Sequence, residues 1–218
     1  MKKIVVAGAS GLVGAQAVAE LAGLDGVETH ILMRRVPEKA PLGVMVHALD
    51  PIDWANAIAA MKPDVAISCL GTTMRTAGSK EAFRAVDLDL VLAVAKAART
   101  AGVRQMIAVS SVGASSRASN FYLKTKGEAE DAMTALGFER LDLLRPGLLT
   151  GGERPDSRPG ERIGILLSPL TDLLMIGGLS RYRSIPSAKV AQSAVTLALG
   201  GGHGRHIHEN DAIRALAG

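Results

Sequence analysis

Residues 4–14 read Ile4-Val5-Val6-Ala7-Gly8-Ala9-Ser10-Gly11-Leu12-Val13-Gly14. The aliphatic run Ile4 to Ala7 stops at a glycine, and the following stretch, Leu12 to Leu24, carries Val13, Ala17, Val18, Leu21 and Leu24 at helical spacing. A strand therefore feeds a helix through a glycine turn. In that setting the glycines let backbone N–H groups approach a pyrophosphate at a helix N-terminus, where the helix dipole favours an anion. The spacing is GxxGxxG rather than the GxGxxG of the standard dinucleotide fingerprint.

Outward from this turn the chain alternates strands with helices. Val27 to Met33, Val44 to Leu49, Asp64 to Leu70, Gln105 to Val109 and Leu141 to Leu144 read as strands. Pro51 to Met61 reads as a short helix with Pro near its start, Ser79 to Ala101 as a long one with Phe83, Val86, Leu90, Val94 and Ala97 along one side, and Ser119 to Leu136 as another, stopped by Gly137. Strand runs that are apolar throughout and separated by helices belong to a parallel sheet covered on both faces. The expected fold class is α/β, a doubly wound parallel sheet forming one domain over residues 1–218. Beyond Pro146 the pattern loosens. Thr150 to Arg162 is polar and rich in Gly and Pro, Ile163 to Ile176 looks helical despite Pro169, and Arg183 to Ile185 suits a short strand. Ser187 to Leu199 is an amphipathic helix, and an edge strand around Ile207 precedes a final short helix. This C-terminal extension, residues 148–185 above all, is expected to form the substrate side of a pocket.

Composition narrows the function classes. Of 218 residues 48% are apolar, 24 are glycine and 21% are charged, enough to bury one sizeable core and too apolar for a disordered chain. The apolar stretch Ile165 to Leu179 is broken by Ser168, Pro169 and Asp172, short of the roughly 20 residues of a membrane span, so no stable membrane insertion is expected. Lys and Arg number 25 against 21 Asp and Glu, scattered along the chain, and with six aromatics nucleic acid is not expected as a ligand. The one cysteine, Cys69, excludes an internal disulfide framework and points to a reducing compartment, read as the cytoplasm.

Arg34 and Arg35 follow the second strand, 20 residues after Gly14, where an NAD enzyme places an acidic residue on the ribose 2′-hydroxyl. Two guanidiniums there suit a 2′-phosphate, hence NADPH/NADP. Tyr122 and Lys126 stand four apart on one helix face, just past the strand whose end carries Ser110-Ser111. A free phenol titrates near 10 and a neighbouring ammonium favours phenolate, so such a pair can exchange a proton with a carbonyl oxygen while hydride moves.

The ordered set Gly8-Gly11-Gly14, Arg34-Arg35, Ser110-Ser111, Tyr122-Lys126 and Arg145-Pro146-Gly147 resembles the short-chain dehydrogenase/reductase superfamily with its NAD(P)-binding Rossmann fold. Cys69-Leu70-Gly71-Thr72-Thr73, Asn120-Phe121-Tyr122-Leu123, Lys126-Gly127-Glu128 and Ser157-Arg158-Pro159-Gly160-Glu161 resemble its atypical branch typified by the Tat-interacting-protein oxidoreductase. The resemblance implies Tyr122 as acid–base, Lys126 on the nicotinamide ribose, and Ser111 or Ser110 on the substrate carbonyl. It also implies Ser10, Gly11, Leu12, Val13, Leu70 and Gly71 along the cofactor, with Arg158 a further candidate. Asp87 stands where many relatives carry asparagine.

Other features divide between two roles. Asp50 suits either the adenine amino group or the cap of the helix at Pro51. His203, His206 and His208 with Glu209 fit an exposed edge strand better than a metal cluster. Cys69 reads as a buried, inert thiol, and the stripe from Ile165 to Ile176 as core or the apolar wall of a pocket. The expectation is an NADPH-dependent oxidoreductase that reduces a small carbonyl compound, as a monomer or homodimer. The alternative is a redox-sensing regulator that binds NADP(H) and a protein partner without turnover.

Overall fold

A computed structural model describes residues 1–37, 41–151 and 177–218. The chain runs β1 (Lys2–Ala7), α1 (Leu12–Ala22), β2 (Val27–Met33), β3 (Val44–Ala48), a 3-10 turn (Pro51–Asp53) and α2 (Trp54–Met61). Then come β4 (Val65–Ser68), α3 (Met74–Ala77), α4 (Lys80–Arg84), a π-helical turn (Ala85–Leu90), α5 (Val91–Thr100), β5 (Gln105–Val109), α6 (Phe121–Ala135) and β6 (Arg140–Arg145). The described remainder is β7 (Leu149–Thr150), a 3-10 helix (Gly177–Tyr182), β8 (Ile185–Pro186), α7 (Ser187–Leu199), β9 (Gly204–Glu209) and α8 (Asn210–Leu216).

Seven strands form one sheet in the order β3-β2-β1-β4-β5-β6-β9, and every neighbouring pair is parallel. The pleat sends alternate residues of β1 to opposite faces. Ile4 and Val6 join a core with Val13, Val18 and Leu21 of α1, Val190 and Ala194 of α7 and Ile213 of α8. Val5 and Ala7 join another with Trp54 and Ile58 of α2, Val94 and Ala98 of α5 and Met133 of α6. Burial on both faces is why the central stretches, residues 4–7 of β1, 65–67 of β4 and 106–109 of β5, are apolar throughout. The strand order reverses between β1 and β4, and a crevice opens at the carboxyl ends of strands at such a switch point.

The long helix expected over Ser79 to Ala101 is interrupted by the π turn. The buried face of this stretch is Phe83, Asp87, Leu88, Val91, Val94, Ala95 and Ala98, so Phe83 and Val94 are core as expected while Val86, Leu90 and Ala97 lie at its margin. A π bulge of this kind is a frequent mark of a functional site. The strand expected at Arg183 to Ile185 is found at Ile185–Pro186, pairing in parallel with β7. α3, capped by the Thr73 hydroxyl accepting from the Thr76 N–H at 3.0 Å, was not signalled because four residues carry no periodicity. The helix expected at Ile163 to Ile176, its apolar stripe, Arg158 and all but the first two residues of the Thr150 to Arg162 loop lie outside the described residues.

β9 is the expected edge strand, and its His206 and His208 rings stack with centroids 6.2 Å apart while each bonds elsewhere. The His206 ring bonds to the His203 carbonyl at 2.9 Å, whereas His208 Nε2 lies 2.9 Å from Oδ1 of the fully buried Asp142 on β6.

Candidate functional site

A cavity of about 810 Å³ lies at the carboxyl ends of the central strands. Its first wall is the glycine turn. Gly8 sits at φ +85, and a Cβ there would lie 2.6 Å from the Cys69 carbonyl carbon. At Gly14 a Cβ would lie 2.1 Å from the Gly8 oxygen, which also accepts the Gly11 N–H at 3.0 Å. Gly8 and Gly14 thus hold the turn against β4 and α1 and do not line the cavity, while Ser10, Gly11, Leu12 and Val13 do. α1 begins at Leu12 behind Gly11, with no side-chain cap and no acidic residue in its first turn. Its free N–H groups and the positive end of its dipole therefore face the cavity, a donor set suited to a pyrophosphate.

Leu70 and Gly71 continue the wall. A Cβ on Gly71 would come within 3.3 Å of both Asp87 Oδ1 and Lys126 Nζ. Arg34 and Arg35 stand exposed just past β2, and neither they nor Asp50 are among the described lining residues. Asp50 accepts the Ile52 N–H at 3.1 Å and caps the 3-10 turn, one of the two roles its position allows.

The opposite wall is α6, which begins at Asn120, whose side chain accepts the Leu123 N–H at 3.1 Å. Tyr122 and Lys126 both face the cavity from its first two turns. The Tyr122 ring packs on Phe83 with centroids 5.5 Å apart. Lys126 is buried, with Nζ 2.8 Å from Asp87 Oδ1, and Oδ2 of the same carboxylate accepts the Thr72 N–H at 2.8 Å. The π turn thus supplies an acidic side chain that ties the lysine of α6 to the loop after β4. Asp87 is thus one half of a buried ion pair.

Ser110 and Ser111 follow β5 and both line the cavity, but their hydroxyls differ. Ser110 Oγ donates to Glu130 Oε1, and Glu130, buried on α6, is gripped by Arg145 Nε at 3.0 Å and by its Nη2. Ser111 Oγ has only a long 3.4 Å contact with the Val112 carbonyl, which leaves it available to a ligand. α6 can approach this loop because residue 127 is glycine: a Cβ there would sit 2.1 Å from Ser115 C and 2.2 Å from Ser116 N. Gly127, Glu130 and Thr72 were not singled out for these roles from the sequence. The mid-helix Gly127 was the one available signal, since glycine inside a helix usually marks a close approach.

Leu148, Leu149 and Tyr182, from the span expected to form the substrate side, close the cavity together with Met74. Cys69 also lines it, and burial pushes its thiol up to about 12, which removes it as a nucleophile at neutral pH.

The model of a family described as NAD(P)H-binding matches residues 8–199. Among curated proteins, the mitochondrial protein fmp52 of Emericella nidulans is 37% identical over 171 residues, 75% of this chain and 73% of that protein. The mitochondrial protein FMP52 of Candida albicans is 33% identical over 205 residues, 91% of this chain and 89% of that protein. Among solved structures, the UDP-glucose 4-epimerase of Thermus thermophilus in complex with NAD gives a TM-score of 0.72 at 18% identity, covering 99% of this chain and 81% of that one. The UDP-glucose 4-epimerase of Thermotoga maritima with UDP-glucose gives 0.71 at 15%, covering 95% and 77%. Likeness at that identity shows the fold alone. Two expectations are corrected here. The curated relatives are fmp52 proteins, not specifically the Tat-interacting-protein branch. Their names are mitochondrial, which overturns the cytoplasmic reading: a lone cysteine shows that no internal disulfide forms, and that does not tell one reducing compartment from another.

Proposed function

Because the chain belongs to the NAD(P)H-binding family, we propose that it is an NADPH-dependent oxidoreductase that reduces a carbonyl compound, with Tyr122 as proton donor. The observation that carries this reading is convergence. Ser111, Tyr122 and Lys126, from two separate elements, line the same cavity that begins at the uncapped N-terminus of α1. Mitochondrial residence, as in the relatives' names, is part of the proposal.

When bound, the nicotinamide would supply the hydride. Ser10 to Val13 would hold the pyrophosphate, and Leu70 and Gly71 the adjoining part of the dinucleotide. Lys126, fixed by Asp87, would donate to the ribose hydroxyls. Ser111 would donate to the carbonyl oxygen and orient it, and the Tyr122 hydroxyl would give that oxygen its proton. Ser110, committed to Glu130, would keep the loop in place rather than touch substrate.

Cofactor choice is the first test. Arg34 and Arg35 stand at the carboxyl end of β2, where a 2′-phosphate is bound in this class of fold. Charge-assisted contacts contribute on the order of 1.5 to 3 kcal/mol each. NADPH should therefore bind at least tenfold more tightly than NADH by calorimetry, and replacing both arginines by alanine should remove most of the difference. Equal affinities in the wild type would sink the NADPH assignment and leave the oxidoreductase reading to stand on NADH.

A further inference from the structure

We propose, resting on the function above, that the substrate is an uncharged carbonyl compound carrying a hydrocarbon chain or ring that lies along Leu148, Tyr182 and Met74. These three side chains line the cavity, yet they are 52%, 39% and 38% exposed. Large apolar side chains that line a cleft and stay exposed to solvent mark a ligand surface more often than chance exposure.

The backbone that carries Leu148 is anchored. The Val112 N–H donates to the Pro146 carbonyl at 3.0 Å, the Ile185 N–H to the Leu148 carbonyl at 2.8 Å, and the Gly147 N–H to Asn210 Oδ1 at 2.8 Å. A Cβ on Gly147 would lie 2.2 Å from the Arg183 oxygen, so this strip is pressed against its neighbour. Leu148 is therefore held toward water by a fixed main chain.

The charges on the described wall point the same way. Lys126 and Asp87 neutralise one another at 2.8 Å, and Arg75 is engaged in a contact of its own. Thr73 and Thr76 bond to each other at 2.9 Å. The hydroxyls of Ser111 and Tyr122 converge on the cavity and can take one oxygen, beside an apolar strip for the rest of the molecule. That arrangement selects a single polar head and a hydrocarbon body.

The test is a homologous series. Straight-chain aldehydes from propanal to decanal are offered with NADPH, alongside aldehydes of matched length that end in a carboxylate. If each buried methylene keeps its usual transfer free energy, kcat/KM should rise about three- to fourfold per carbon until the strip is covered. The carboxylate-ended partners should be at least tenfold poorer, and Leu148→Asp should flatten the rise. Turnover that ignores chain length, or that prefers the charged series, overturns this inference while leaving the reductase reading intact. If no aldehyde, ketone or quinone is reduced, the reductase reading fails instead, and binding decides the inference. Calorimetry of hexanamide and decanamide against the NADPH complex supports it if affinity climbs with length and sinks it if the two bind equally.

Discussion

Tyr122→Phe should cut kcat by a factor of roughly 10² to 10⁴ while leaving the fold and NADPH affinity almost unchanged. The substitution removes one hydroxyl and keeps the ring, and the ring is the part that holds the residue in place: it stacks at a tilt against Phe83, 5.5 Å between centroids, and Phe83 packs in turn on Phe121 at 5.8 Å. Ser111 and Lys126 would still bind and orient a carbonyl beside the nicotinamide. What the variant loses is the proton delivered to the oxygen as hydride arrives. Initial rates of NADPH oxidation with aldehydes, ketones and quinones, measured for both proteins, give the result. The rival reading, a regulator that binds NADP(H) and a protein partner without turnover, predicts no reduction of any carbonyl by the wild type and indistinguishable cofactor binding by the variant. Wild-type turnover that survives the substitution would show that the proton comes from another group.

The elements legible in the sequence were those whose burial is local. β2, β5 and α7 begin and end where apolar runs and glycines placed them, because a strand covered on both faces and a helix with one inner stripe each leave a regular pattern. The buried face of the long helix is legible only in part. Phe83, Asp87, Val91, Val94 and Ala98 recur at ordinary helical spacing, but Asp87 is a carboxylate and adds nothing to an apolar stripe, so Val86 and Leu90 read as core in its place. That Asp87 pairs with Lys126 depends on α6 being brought alongside, which local spacing does not show. Tyr122 and Lys126 were readable because four residues on one helix fix their common face. The separation of Ser110 from Ser111 was not, because it depends on Glu130 and Arg145, residues brought beside the loop by α6 and β6 and silent in local spacing. Asp50 was open to two roles for a similar reason: a cap and an adenine contact need the same side chain at the same place in sequence.

The other large effect is expected far from the cavity. Asp142→Ala should lower the stability of the fold by about 3 to 5 kcal/mol, the usual cost of removing one member of a buried charge pair. Asp142 is fully buried in β6 and accepts from Arg140 Nε at 2.7 Å, from Gln105 Nε2 at 3.2 Å and from His208 Nε2 at 2.9 Å. Gln105 also donates to the Leu197 carbonyl of α7 at 2.9 Å. One carboxylate therefore ties β5, β6, β9 and, through Gln105, α7, and its loss leaves the Arg140 guanidinium, 12% exposed, without its partner. Burial by itself raises the carboxyl pKa, but the hydrogen bonds from His208, Arg140 and Gln105 outweigh it and hold the group below its ordinary value of 3.8. A lowered folded-state value means that this contribution is complete above the unfolded-state pKa and is lost as pH falls through the folded one. In urea titrations the gap between wild type and Asp142→Ala should accordingly be full at pH 7 and shrink as pH is taken below about 4. Because Asp142 does not line the cavity, NADPH affinity of the folded variant should match the wild type. A gap that stays constant down to pH 2 would mean that the alanine variant suffers from a packing defect and not from the loss of an ionised acceptor.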